Sequence, residues 1–163
     1  MKTRRAVQSI TGMSTIVALG VLAWAISTFG HCQIPCGIYN DALRFKQLEE
    51  HFTTIEKSMK QIELLSKDPG GNANQLVRWI QNKEDHAQEI VEIITAYFLQ
   101  QRIAPVETSD KNKGEAYVKQ LTLCHKMLIA AMKTKQTTDL QHVQQLRSLC
   151  EEFKTTYFAN EKQ

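Results

Sequence analysis

The chain has 163 residues, 42% of them hydrophobic and 23% charged, with 7 Gly, 3 Pro, 4 Cys and a formal net charge of +3. These proportions fit one globular domain and exclude low-complexity disorder, a collagen-like repeat and a disulfide-dense scaffold. The positive balance does not point to nucleic acid. Lys2, Arg4 and Arg5 account for it, and beyond residue 30 the remaining 17 Lys and Arg face all 17 Asp and Glu.

Residues 1–30 read as an address. Met1 to Arg5 is basic, no charged residue follows from Ala6 to Gly30, and the apolar centre runs from Ile16 to Ile26. A basic start, an apolar run of this length and small residues near its end predict a cleavable signal peptide. The alternative is an uncleaved membrane anchor, since about 20 apolar residues span a bilayer. Ala23-Trp24-Ala25 is a cleavage signal that would leave Ile26 first, whereas cutting after Thr28-Phe29-Gly30 would expose His31. Arg4-Arg5 also has the form of a twin-arginine start. Each route leads out of the cytoplasm, to a periplasmic or extracellular location, or to a membrane tether if the leader stays.

Residues 31–40, His-Cys-Gln-Ile-Pro-Cys-Gly-Ile-Tyr-Asn, differ from everything that follows. Pro35 and Gly37 argue against regular helix here. With His31 first, its free amine and imidazole chelate together, and the Cys32 thiolate and backbone nitrogen occupy the next chelate positions. Cys36 returns to the same ion if the chain bends at Pro35 and Gly37. Mixed nitrogen and thiolate donors favour a late first-row metal tolerant of planar geometry, nickel or copper. The alternative is a Cys32–Cys36 disulfide.

From Asp41 onward apolar residues recur at helical spacing. Phe45, Leu48, Phe52, Ile55, Met59 and Ile62 predict a first helix, begun by Asn40 or Asp41 and stopped at Asp68-Pro69-Gly70-Gly71. Leu76, Ile80, Ala87, Ile90, Ile94 and Tyr97 predict a second over 74–103, interrupted by Lys83 on the same stripe. Tyr117, Leu121, Cys124, Leu128 and Ala131 predict a third over 114–133. Leu140, Val143, Leu146, Cys150, Phe153 and Tyr157 predict a fourth over 138–159. Four amphipathic segments with short connections give an all-α fold, an antiparallel up-down four-helix bundle over 41–163. The polar stretch from Pro105 to Lys113 is expected as a loop and as the mobile segment of the bundle.

The bundle carries no phosphate loop and no motif for zinc, di-iron or haem. His51, His86, His125 and His142 read as scattered polar side chains. Cys124 and Cys150 fall at similar height on facing stripes, either as packed thiols or as a cross-link.

His-Cys-x-x-Pro-Cys-Gly-x-Tyr, present as His31, Cys32, Pro35, Cys36, Gly37 and Tyr39, resembles the nickel-binding hook of nickel superoxide dismutases. Their mature chains start at this His and continue as a four-helix bundle. The resemblance implies one nickel ion per subunit, held by the amine and, in the oxidised state, the imidazole of His31, by the thiolate and amide nitrogen of Cys32, and by the Cys36 thiolate. It implies Tyr39 over the open face of the metal, superoxide as substrate and a homo-oligomer, a hexamer in the family. Gln33 stands where the family has Asp, and Gln47 falls where it has the Glu that steadies the axial imidazole. Arg78 is a possible but unassigned partner for that position, and Tyr97-Phe98 resembles the Tyr-Phe pair late in the family's second helix. Two other functions fit the same residues: an exported metal-delivery bundle without turnover, and a membrane-tethered bundle with a hook disulfide.

Overall fold

The structure, a computed structural model, describes residues 40–106 and 111–160. The leader and the hook residues His31, Cys32, Cys36 and Tyr39 lie outside the described residues. The described chain forms four helices in the expected order: α1 Asp41–Leu65, α2 Pro69–Glu92 continued by a π-helical segment Ile93–Arg102, α3 Lys111–Gln136 and α4 Gln141–Asn160. Among the described residues there is no strand, and no helix is long and apolar enough to cross a membrane.

The predicted stripe of α1 is buried at all six positions, and that of α4 is buried from Val143 through Tyr157, with Leu140 half-buried. In α3 the stripe is turned: Leu123, Cys124, Met127, Ala130 and Ala131 are buried, while Leu121 and Leu128 flank the core. In α2 the expectation holds only from Ala87 onward. Ile80 is 44% exposed and Leu76 half-buried. Between these positions and Ala87 the stripe passes through Lys83, which is 4% exposed.

Helix ends also shift for local reasons. Asp68-Pro69-Gly70-Gly71 stops α1 but also starts α2. Pro69 occupies the first turn, where a missing N–H costs nothing, and the Asp68 carboxylate accepts from the Gly71 N–H at 3.2 Å. The helix therefore begins at Pro69, ahead of the expected 74. α4 begins at Gln141 because Asp139 accepts from the Gln141 N–H at 2.9 Å and turns the chain just before it. α3 begins at Lys111, inside the stretch expected as loop.

Lys83 is a cap supplied from another helix. Its ammonium donates to the carbonyl of Thr134 at 2.7 Å and of Lys135 at 2.5 Å, at the end of α3, and pairs with Glu84 at 3.1 Å. Those carbonyls belong to the last turn of α3, where they lack helical partners and carry the negative end of the helix dipole. A buried cation thus satisfies acceptors that would otherwise be orphaned. Nearby, Asn82 donates to the buried Ser58 hydroxyl at 2.9 Å, which donates in turn to the Thr54 carbonyl at 2.8 Å. On the α1–α4 seam, Arg147 joins Glu49, Glu56 and Thr53.

Cys124 and Cys150 are both free thiols inside the core. Burial is the main cause that pushes each up to about 12, helped at Cys124 by the neighbouring Cys150 and at Cys150 by Glu151. They act as small hydrophobes.

Two outcomes follow. Lys83→Met should cost about 2–3 kcal/mol in urea unfolding, because the α3 carbonyls lose a charged donor that the thioether does not replace. At pH 8 the folded protein should alkylate at Cys124 and Cys150 on the order of a thousandfold more slowly than an ordinary thiol, and at the normal rate once unfolded; peptide mass mapping reads both.

Candidate metal centre

The expected donors His31, Cys32 and Cys36, and Tyr39 beside them, precede the first described residue. What is described is the end of the bundle on which residue 40 enters. The Asn40 side chain caps α1, accepting from the Leu43 N–H at 3.1 Å. Asp41 then stands in the first turn of α1, where the helix dipole favours a carboxylate.

Three other side chains converge on Asp41. Its Oδ1 accepts from the Tyr97 hydroxyl and lies 3.0 Å from Arg102 Nε, and its Oδ2 accepts from the Tyr157 hydroxyl at 2.8 Å. Arg102 also donates from Nη2 to the Tyr97 oxygen at 3.0 Å. The start of α1 is thereby tied to the end of α2 and the end of α4.

The π-helical geometry serves this arrangement. Widened turns bring Tyr97 and Arg102, five residues apart, onto one side of the segment, and the Ile103 N–H donates five residues back to the Phe98 carbonyl at 2.9 Å. Beneath the polar cluster lies an aromatic layer. Phe98 packs edge-on against Phe153 with centroids 5.0 Å apart, and Phe45 lies 5.0 Å from Phe98 and 5.6 Å from Phe153. The guanidinium carbons of Arg44 and Arg102 lie 4.9 and 5.0 Å from the centre of the Tyr97 ring.

Burial first, and then the hydrogen bond to Asp41, raise the Tyr97 hydroxyl above its usual range, so it remains a protonated donor at neutral pH. The hydrogen bond to Tyr97 and the charge of Asp41 keep Arg102 firmly cationic. Beside this cluster opens a cavity of about 380 Å³, walled by Arg102, Ile103, Val106, Lys113, Tyr117 and Tyr157. Arg102 and Tyr157 belong to both.

The structure also describes Gln47 and Arg78. Gln47 accepts from Arg44 Nη1 at 2.7 Å, one turn away on the same helix. Arg78 is not its partner: it is exposed on α2 and donates to Gln75 at 3.4 Å. With His51 opposite His86 across the antiparallel pair, Arg78 and Gln47 are displaced in opposite directions along the bundle, by roughly 18 Å in all at 1.5 Å per residue. Tyr97, singled out with Phe98, is at the centre of the cluster. Asp41, Arg102 and Tyr157 were not expected there, because an acid in the first turn of a helix is ordinary and the other two lie 61 and 116 positions after it in sequence. Only the place of Asp41 at the start of α1 was a usable signal.

Among the described residues no group of three or more His, Cys, Asp and Glu is placed to hold a metal ion. The family model of nickel-containing superoxide dismutase matches residues 25–162. No curated protein and no solved structure matches the chain.

Asp41→Asn should destabilise the protein by about 1–3 kcal/mol, and Tyr157→Phe, which removes one bond, by about 1 kcal/mol. Because they share that bond, chemical denaturation of the double variant should show a coupling of at least ~0.5 kcal/mol; strictly additive losses would contradict the cluster.

Proposed function

We propose, for a chain that belongs to the nickel-containing superoxide dismutase family, that residues 31–40 are the nickel hook and that dismutation of superoxide to oxygen and hydrogen peroxide takes place there. The observation that carries this reading is the reach of the family match, which spans the hook motif and the bundle together. Cysteine chemistry supports it. Two of the four thiols are buried and held near 12, so they are poor metal ligands, and thiolate donors must come from Cys32 and Cys36.

In this reading His31 contributes its amine and imidazole, Cys32 a thiolate and its amide nitrogen, and Cys36 the second thiolate. Nickel bound by such donors supplies a one-electron Ni(III)/Ni(II) couple whose potential the thiolates and amide lower into the range of superoxide. Tyr39 orders or excludes small anions at the open face. The cluster around Asp41 anchors the first residue after the hook, giving the ten preceding residues a fixed point of departure.

The formally neutral body does not steer an anion by net charge. Local charge does: Arg44, Arg102 and Lys113 gather at this end of the bundle, with Asp41 as the carboxylate among them. Export through the leader, cleavage after Gly30 and assembly into a homo-oligomer complete the proposal. Cleavage is the chemical requirement, since an earlier start replaces the His31 amine by a peptide nitrogen.

Intact mass of the mature protein should show His31 as the first residue. Cys36→Ser should lose nickel and at least ~100-fold of dismutase activity, the loss expected when a metal ligand is removed. A mature start at Ile26 or Met1, or activity that survives the substitution, would sink the hook; nickel bound without turnover would favour a delivery protein.

A further inference from the structure

The histidines of the bundle were expected to be scattered, yet two of them meet. His51, midway along α1, and His86, on α2, place their Nδ1 atoms 2.8 Å apart, with ring centroids 5.0 Å apart and planes inclined by 52°. Both are half-buried. Each is held by a helix whose neighbouring turns are in the core: Leu48, Phe52 and Ile55 around His51, and Lys83, Ala87 and Ile90 around His86. The spacing is therefore fixed by backbone packing.

Two imidazole nitrogens at this distance share either a proton or a metal ion. With metal–nitrogen bonds of about 2.0–2.1 Å, the separation subtends roughly 85–90° at the ion. That is the angle between neighbouring ligands in square-planar or octahedral coordination; a tetrahedral ion needs its donors about 3.3 Å apart. Tetragonal nitrogen and oxygen sites suit Ni(II) and Cu(II).

The charge environment agrees. Burial, and after it the neighbouring His86, lower the affinity of His51 for a proton, while Glu89 and Glu50 act in the opposite sense. A neutral imidazole is the form that binds a metal. Glu89 follows His86 by one turn on α2 and Glu50 adjoins His51 on α1, so negative charge stands beside the pair where a divalent cation would be balanced.

We propose that His51 and His86 form a second metal site, built from the bundle alone, which takes a divalent late first-row ion such as Ni²⁺ between α1 and α2. The two Nδ1 atoms are adjacent ligands, each ring keeping its proton on Nε2, and water fills the remaining positions. Neutral rings lose no proton on binding; the donor ring only changes tautomer. Two histidines make a weaker site than the hook, one that fills and empties with free metal and clamps α1 to α2 when filled.

The test uses the mature protein already loaded at its hook. Titration with further Ni²⁺ at pH 7.5, followed by equilibrium dialysis and metal counting, should show a second ion per chain. The melting temperature should rise by about 10 °C when free metal exceeds its dissociation constant a hundredfold. His51→Gln and His86→Gln should each abolish the second ion and the rise, while hook nickel and dismutase activity stay at wild-type levels. Diffraction at the nickel absorption edge from wild-type crystals soaked in Ni²⁺ should place a peak between the two rings, a readout independent of how the variants fold. One ion per chain in the wild type, a second ion that persists in both variants, or a peak elsewhere would each overturn the site. Hook nickel and activity are counted separately, so failure of this site and failure of the hook are distinguishable.

Discussion

A single carboxylate ties three helix ends of the bundle together. Asp41 is the first helical residue of α1, and its two oxygens engage Tyr97 and Arg102 from the end of α2 and Tyr157 from the end of α4. The charge lies at a helix N-terminus, is largely removed from water and faces a guanidinium, so each partner strengthens the hold of the others. Three helix ends are brought to one point at Asp41, and under the proposed function that point immediately follows the ten residues 31–40.

The two ends of the bundle solve different problems. At the end where α1 begins, polar groups gather over an aromatic layer of Phe45, Phe98 and Phe153, and the wider π-helical turns place Tyr97 and Arg102 side by side. At the far end, Lys83 carries a buried charge into the final turn of α3 and closes it. The first is an arrangement around a carboxylate, the second around the terminal carbonyls of a helix. Between them lies an apolar interior in which Cys124 and Cys150 are inert.

Much of the bundle is legible from spacing alone, because an amphipathic helix must repeat its apolar residues every three or four positions. Phe45 through Ile62 and Val143 through Tyr157 follow that period and are buried as expected. The first half of α2 is harder to read, since Lys83 interrupts the stripe and its reason for burial is a pair of carbonyls some fifty residues away. The turn of the α3 stripe toward Leu123 and Met127 depends on which neighbours press against it, which periodicity does not encode. Arg78 illustrates the same limit: the sequence left it unassigned as a partner for the position of Gln47, and the antiparallel register places it toward the other end.

Sequence by itself determined the all-α class, the four apolar stripes, the neutral charge of the body and the motif that holds His31, Cys32 and Cys36, because each of these is set by residues close together in the chain. Tertiary structure decided what lies far apart in sequence: the meeting of Asp41 with Tyr97, Arg102 and Tyr157, the capping of α3 by Lys83, and the approach of His51 to His86. Those contacts depend on the register of one helix against another. Register is decided by the packing of whole faces, which no local pattern records.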